Sequence, residues 1–84
     1  MTLHSDVGER VDEMFRRSLQ APSIDLDRPL VEYGLDSVRS TELVVELEEA
    51  FRVEISDEEA AQLMTARAVI DHVVAKLERT QRSS

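Results

Sequence analysis

Apolar residues recur along the first twenty positions at the spacing of a helix. Leu3, Val7, Val11, Met14, Phe15 and Leu19 fall at i, i+4, i+8, i+11, i+12 and i+16, one stripe of an amphipathic helix. Gly8 is a weak spot inside it, costing about 1 kcal/mol relative to alanine. Pro22, Pro29 and Gly34 then interrupt the pattern and predict a largely irregular stretch from Gln20 to Asp36. A loop that long in so short a chain tends to be functional. Ile24, Leu26, Leu30, Tyr33 and Leu35 are the residues expected to pin it to the core.

Helical spacing resumes at Asp36 or Ser37 and runs to about Arg52, with Leu43, Val44, Leu47, Ala50 and Phe51 on the buried face. Ser56 and Glu59 have the spacing of a capping box in front of a short third helix. Thr65 is placed to cap a last helix, whose Ala66, Val69, Ile70, Val73 and Leu77 again keep one face. No stretch alternates with the period of a strand, and no internal repeat is visible. The prediction is an all-α fold, a small bundle of three main helices plus one short helix, with a long first loop. One domain covers residues 1–84, with a core over about 3–77 and a polar tail over 78–84 that is expected to fray from Arg79.

Composition narrows the functions open to such a bundle. A chain of 84 residues buries only about 60% of the surface its unfolded form exposes, which leaves no room for a deep, water-excluding active site. A binding or carrier role is favoured over catalysis. The 18 acidic and 10 basic residues give a net charge of −8. That sign opposes nucleic acid, whose phosphates demand a basic patch, and anionic membrane surfaces for the same reason. The first ten residues have no secretory pattern, and no apolar run approaches the roughly 20 residues of a membrane span. A soluble, cytoplasmic monomer is expected. With no cysteine in the sequence, any thiol chemistry must come from an attached group.

The charge is concentrated. From Ile24 to Ala60 there are 12 acidic residues against Arg28, Arg39 and Arg52; outside that segment six acids face seven bases. With Leu47 turned to the core, Val38, Glu42, Val45 and Glu49 lie within about 40° of the opposite direction. Such a stripe is either a solvated helix face with stray apolar residues or a docking face, in which acids steer a basic partner onto a small apolar centre.

The remaining chemistry centres on Ser37. At a helix start a serine is commonly a cap. As a nucleophile it is poorly equipped, because Gly34-Leu35-Asp36-Ser37-Val38 lacks the second glycine of a nucleophile elbow. His4 and His72 lie on other helices, and His72 reads as an ordinary surface histidine. Asp25, Asp27 and Asp36 have part of the spacing of a calcium loop, but Leu30 and Pro29 occupy its glycine and ligand positions, so no metal site is expected. A serine at a helix N-terminus is also a place where free N–H groups and the dipole favour a phosphate.

GLDSV over residues 34–38, TELVVELEEAF over 41–51 and EISDEEA over 54–60, in that order and spacing, resemble the acyl carrier proteins, and the resemblance runs from about Leu3 to Leu77. It implies that Ser37 carries 4′-phosphopantetheine through a phosphodiester, installed from coenzyme A by a Mg²⁺-dependent phosphopantetheinyl transferase. The arm's thiol would hold acyl groups as thioesters, and the chain itself would not be an enzyme. It further implies that the second helix docks basic patches on ketosynthases, acyltransferases or acyl-activating enzymes, with Asp36, Val38, Glu42, Val45 and Glu49 as the recognition residues. Tyr33 and Val38 stand where fatty-acid carriers usually have leucine, so Tyr33-Gly34-Leu35-Asp36-Ser37 looks more like a carrier of polyketide or related specialised biosynthesis. A fatty-acid carrier, and an acidic helical interaction module without a prosthetic group, are the alternatives. Asp36 makes an amino-acid-loading carrier the poorer match, since peptidyl carriers commonly have glycine there.

Overall fold

A computed structural model of the chain describes the backbone of residues 3–83 and the side chains of residues 3–79. Four helices follow one another: α1 (Leu3–Leu19), α2 (Ser37–Phe51), α3 (Asp57–Ala61) and α4 (Ala66–Ser83). The expected frayed tail falls mostly on side chains outside the description, while the backbone of α4 stays helical to Ser83.

Burial follows the stripes. Val7, Val11, Met14, Phe15 and Leu19 of α1 pack with Leu43, Leu47 and Phe51 of α2 and with Ala66, Val69, Ile70 and Val73 of α4. Val44, Ala50 and Leu77 sit at the edge of that core, half-buried. Val53 and Ile55, between α2 and α3, are buried as well and tie the end of α2 inward. Asp6 in the first turn of α1 and Arg16 and Arg17 in its last turn complement the helix dipole. Gly8 interrupts nothing; a Cβ built there would meet Ile70 Cδ1 at 3.9 Å, an ordinary contact.

The first loop is more ordered than its prolines and glycine suggest. A 3₁₀ turn spans Leu30–Tyr33. Pro29 and Gly34 bracket that turn: Pro29 supplies a fixed φ of −56° ahead of it, and Gly34 ends it at φ 87°, which disfavours any side chain. Read as breakers in the sequence, the two residues are the boundaries of an element. Leu30 is buried, while Ile24, Leu26, Tyr33 and Leu35 pack half-buried against the core as expected.

Polar bonds fix the rest of the loop. Leu30 N–H donates to the Met64 carbonyl at 2.8 Å and Arg67 N–H to the Leu26 carbonyl at 2.9 Å. Arg67 also forks onto both carboxylate oxygens of Asp27, at 2.6 and 3.2 Å. The Tyr33 hydroxyl accepts from Asp25 N–H at 2.8 Å, and the Arg28 guanidinium lies over the Tyr33 ring. Thus the loop is bound to the start of α4, and it delivers the chain to α2 in one direction.

Candidate functional site

Ser37 is the first residue of α2, and its hydroxyl is unoccupied by local bonding. The N-cap is Asp36, in extended conformation, whose Oδ1 accepts from Arg39 N–H at 2.8 Å. The capping role open to Ser37 in the sequence is therefore filled one residue earlier. An extended Asp36 has its carboxylate within reach of the third amide of the helix, which a serine already in helical conformation does not. Ser37 is exposed, and its hydroxyl makes no hydrogen bond among the described residues. Its backbone carbonyl accepts from the Thr41 hydroxyl at 3.0 Å, which holds the first turn closed behind it. The N–H groups of Ser37 and Val38 have no acceptor among the described residues, so the positive end of α2 is open beside the hydroxyl.

Arg39 fixes this turn against the bundle. Its Nη1 donates to the Ser18 carbonyl at 3.1 Å, satisfying the end of α1 with the beginning of α2. In the sequence it counted only as a charge, and nothing local reveals the bond.

One hollow adjoins the serine and a second lies behind it. An open groove of about 590 Å³ runs from Asp36, Ser37 and Ser40 to Val31 on the first loop, Ala61 at the end of α3 and Met64 beyond it. A smaller cavity of about 260 Å³ lies deeper between α2 and α3, lined mainly by Leu35, Val44, Leu47, Ile55, Ala60 and Leu63. Leu30, Leu35, Ser40, Ala60 and Leu63 line both, so the two share a wall.

The outward face of α2 has the phase read from the sequence. Val38 is 68% and Val45 45% exposed, and Asp36, Glu42 and Glu49 are exposed as well. Two further apolar residues, Val31 at 67% and Met64 at 64%, stand exposed on the groove. Sequence reasoning missed both, because they belong to a turn and a linker that carry no periodic stripe. The one available signal was an apolar side chain beside a breaker, after Pro29 and before Thr65.

Neither histidine is bonded to Ser37. His4 pairs with Asp71 at 3.1 Å. His72 departs from the sequence reading: it is half-buried, and its Nε2 lies 2.5 Å from Glu59 Oε2. The aspartates of the rejected calcium loop have local duties. Asp25 Oδ1 accepts from Asp27 N–H, and Asp27 is held by Arg67, whose hydrogen bond keeps its carboxyl below the usual range.

Known proteins resemble the chain over most of its length. The model of a family described as "Phosphopantetheine attachment site" matches residues 9–73. Among solved structures, the chain is similar to an acyl carrier protein from Thermotoga maritima, with 25% identity, a TM-score of 0.78, and coverage of 92% of this chain and 93% of that one.

Proposed function

The chain belongs to the phosphopantetheine-attachment family of acyl carrier proteins, and on that premise we propose that Ser37 bears the 4′-phosphopantetheine arm. The carrying observation is the division of labour at the start of α2. Asp36 does the capping and leaves the Ser37 hydroxyl exposed and unbonded. The residues present suit a phosphodiester there. Two unpaired amides and the helix dipole favour an anion at that end, and the groove gives an attached chain a surface to lie along. The arm supplies the thiol that this cysteine-free chain lacks. No base is needed within the chain, because activation of the hydroxyl belongs to the transferase.

Val38, Glu42, Val45 and Glu49, together with Asp36, form the docking face for that transferase and for acyl-handling enzymes with basic patches. Their common exposure on the side of α2 away from Leu43 and Leu47 supports this reading. The pathway we favour is polyketide or related specialised biosynthesis, on the ground of Tyr33 ahead of Gly34-Leu35-Asp36-Ser37. Tyr33 has a structural use as well, since its hydroxyl closes the first loop on Asp25.

Incubation with coenzyme A and a broad-specificity phosphopantetheinyl transferase tests the assignment by intact mass. One arm is gained by wild type and by Ser40→Ala, and none by Ser37→Ala. A modified Ser37→Ala protein would overturn it. The thioester found on protein isolated from its host identifies the acyl class and separates polyketide from fatty-acid use.

A further inference from the structure

The short helix α3 walls both hollows, yet it is the least embedded element of the bundle. Ala60 and Leu63, from α3 and the turn after it, line groove and cavity alike. None of the five residues of α3 is buried, and a helix of that length has no stability of its own. Apolar packing gives it only a partial hold, through Ala60 and Leu63, which lie half-buried against the core.

The segment is anchored firmly at both ends. Ile55, just before it, is buried and donates its N–H to Glu48 Oε2 at 3.0 Å. Met64, just after it, gives its carbonyl to Leu30 N–H. Between these anchors the tie to α4 is polar and passes through one carboxylate. Glu59 Oε2 is met by His72 Nε2 at 2.5 Å and by Lys76 Nζ at 2.8 Å, while Oε1 accepts Ser56 N–H at 3.3 Å. Lys76 Nζ reaches the Glu54 carbonyl too, so it grips the segment on both sides of Ser56. The three side chains are 33% exposed or less, which shields the contacts from full solvent screening. The Glu59 carboxyl is pulled down to about 2, by Lys76 foremost, then by Ser56 and His72.

We propose that Glu59, His72 and Lys76 form a latch that holds α3 as a releasable wall, so that the cavity between α2 and α3 opens by freeing residues 56–63 and not by loosening the core. Opening then takes the breakage of one ionic cluster and the lifting of half-buried Ala60 and Leu63, while the buried stripes of α1, α2 and α4 stay packed. Glu58 and Asp71 line a groove on the outer side of α3 with His72, so the surroundings of the latch stay acidic when Glu59 is neutralised. Its effect is therefore local. Use of the opening for a tethered chain rests on the carrier reading; the latch itself does not.

Glu59→Gln tests the latch cleanly, because glutamine at that position still completes the capping box with Ser56 while the charge is lost. In the full-length protein without its arm, amide hydrogen exchange followed by NMR should speed up about fivefold across residues 60–64, the scale of a lost partly exposed ion pair. Exchange at Val11, Leu47 and Val73 should stay unchanged, and the neutral apolar dye Nile red should bind more tightly. Lys76→Met should reproduce that pattern. Equal acceleration in all helices, or none at 60–64, would overturn the latch. Mass gain with the transferase is read separately on the same proteins, so a chain that takes no arm ends the carrier reading and leaves the latch result standing.

Discussion

Asp36 and Arg39 close the first turn of α2 around Ser37: the Asp36 carboxylate accepts the Arg39 N–H at 2.8 Å, and the Arg39 guanidinium is bonded to the Ser18 carbonyl. The aspartate of the Asp-Ser pair thereby has a structural task, and the serine has none. Stability and attachment should separate between these neighbours. Asp36→Ala should cost about 0.5–2 kcal/mol, the usual value of an N-cap, whereas Ser37→Ala should change stability by no more than about 0.5 kcal/mol. Thermal unfolding measures both stability changes, and intact mass reads attachment. A Ser37→Ala protein destabilised as much as Asp36→Ala would contradict the assignment of the cap.

Docking and folding should part on a single helix in the same way. Glu42→Lys and Glu49→Lys alter exposed positions, so the melting temperature should hold or rise as local repulsion is relieved. Loading by the transferase should slow, chiefly in the association rate and its salt dependence. Val45→Ala should weaken partner contact without unfolding. Leu47→Ala, at a side chain 2% exposed, should cost about 2–5 kcal/mol. Unimpaired loading of both lysine variants, or collapse of Val45→Ala, would remove the docking face from α2.

The 37 residues from Ile24 to Ala60 hold 12 acids against three bases, and folding brings those charges together. At physiological ionic strength the Debye length is about 8 Å, so added salt screens much of the repulsion. The melting temperature should climb with sodium chloride, and more steeply with Mg²⁺ at equal ionic strength. A flat response would show that the cluster carries no strain.

Acid should undo the latch on α3. A carboxyl whose pKa falls on folding contributes stability in full above its unfolded value and loses it as pH drops toward the folded one. Glu59 lies at about 2 against an ordinary 4.5, with Lys76 the leading cause. The stability difference between wild type and Glu59→Gln should therefore be constant above about pH 5, shrink below 4.5, and vanish near 2. Asp27, lowered by its hydrogen bond to Arg67, should show the same sign in Asp27→Asn. Urea unfolding at a series of pH values checks both.

Gly8 offers a gain. A methyl group there meets only Ile70 Cδ1 at ordinary contact distance, so Gly8→Ala should stabilise α1 by about 1 kcal/mol. A lower melting temperature would mean that α1 and α4 pack too closely to admit it.

The helices and their buried faces were legible because a 3.6-residue stripe is a local property of the chain. Val7 to Leu19, Leu43 to Phe51 and Ala66 to Val73 face the core as their spacing required, and the Ser56–Glu59 box formed as written. The exposure of Val38, Glu42, Val45 and Glu49 followed from the same phase, while Ser37 stood out by its place at the start of α2. Whatever depended on partners distant in sequence was beyond its reach. Asp27 meets Arg67 across 40 residues, Arg39 reaches Ser18 across 21, and His72 finds Glu59 across 13. Those bonds turn a loop read as irregular into a fixed frame, and a histidine read as ordinary into part of a latch. Val31 and Met64, exposed on the groove, likewise owe their setting to the bridge between Leu30 and Met64. Periodicity tells which side of a helix is apolar; only the packed chain decides which polar groups come within hydrogen-bond range, because that distance is set by how the helices cross.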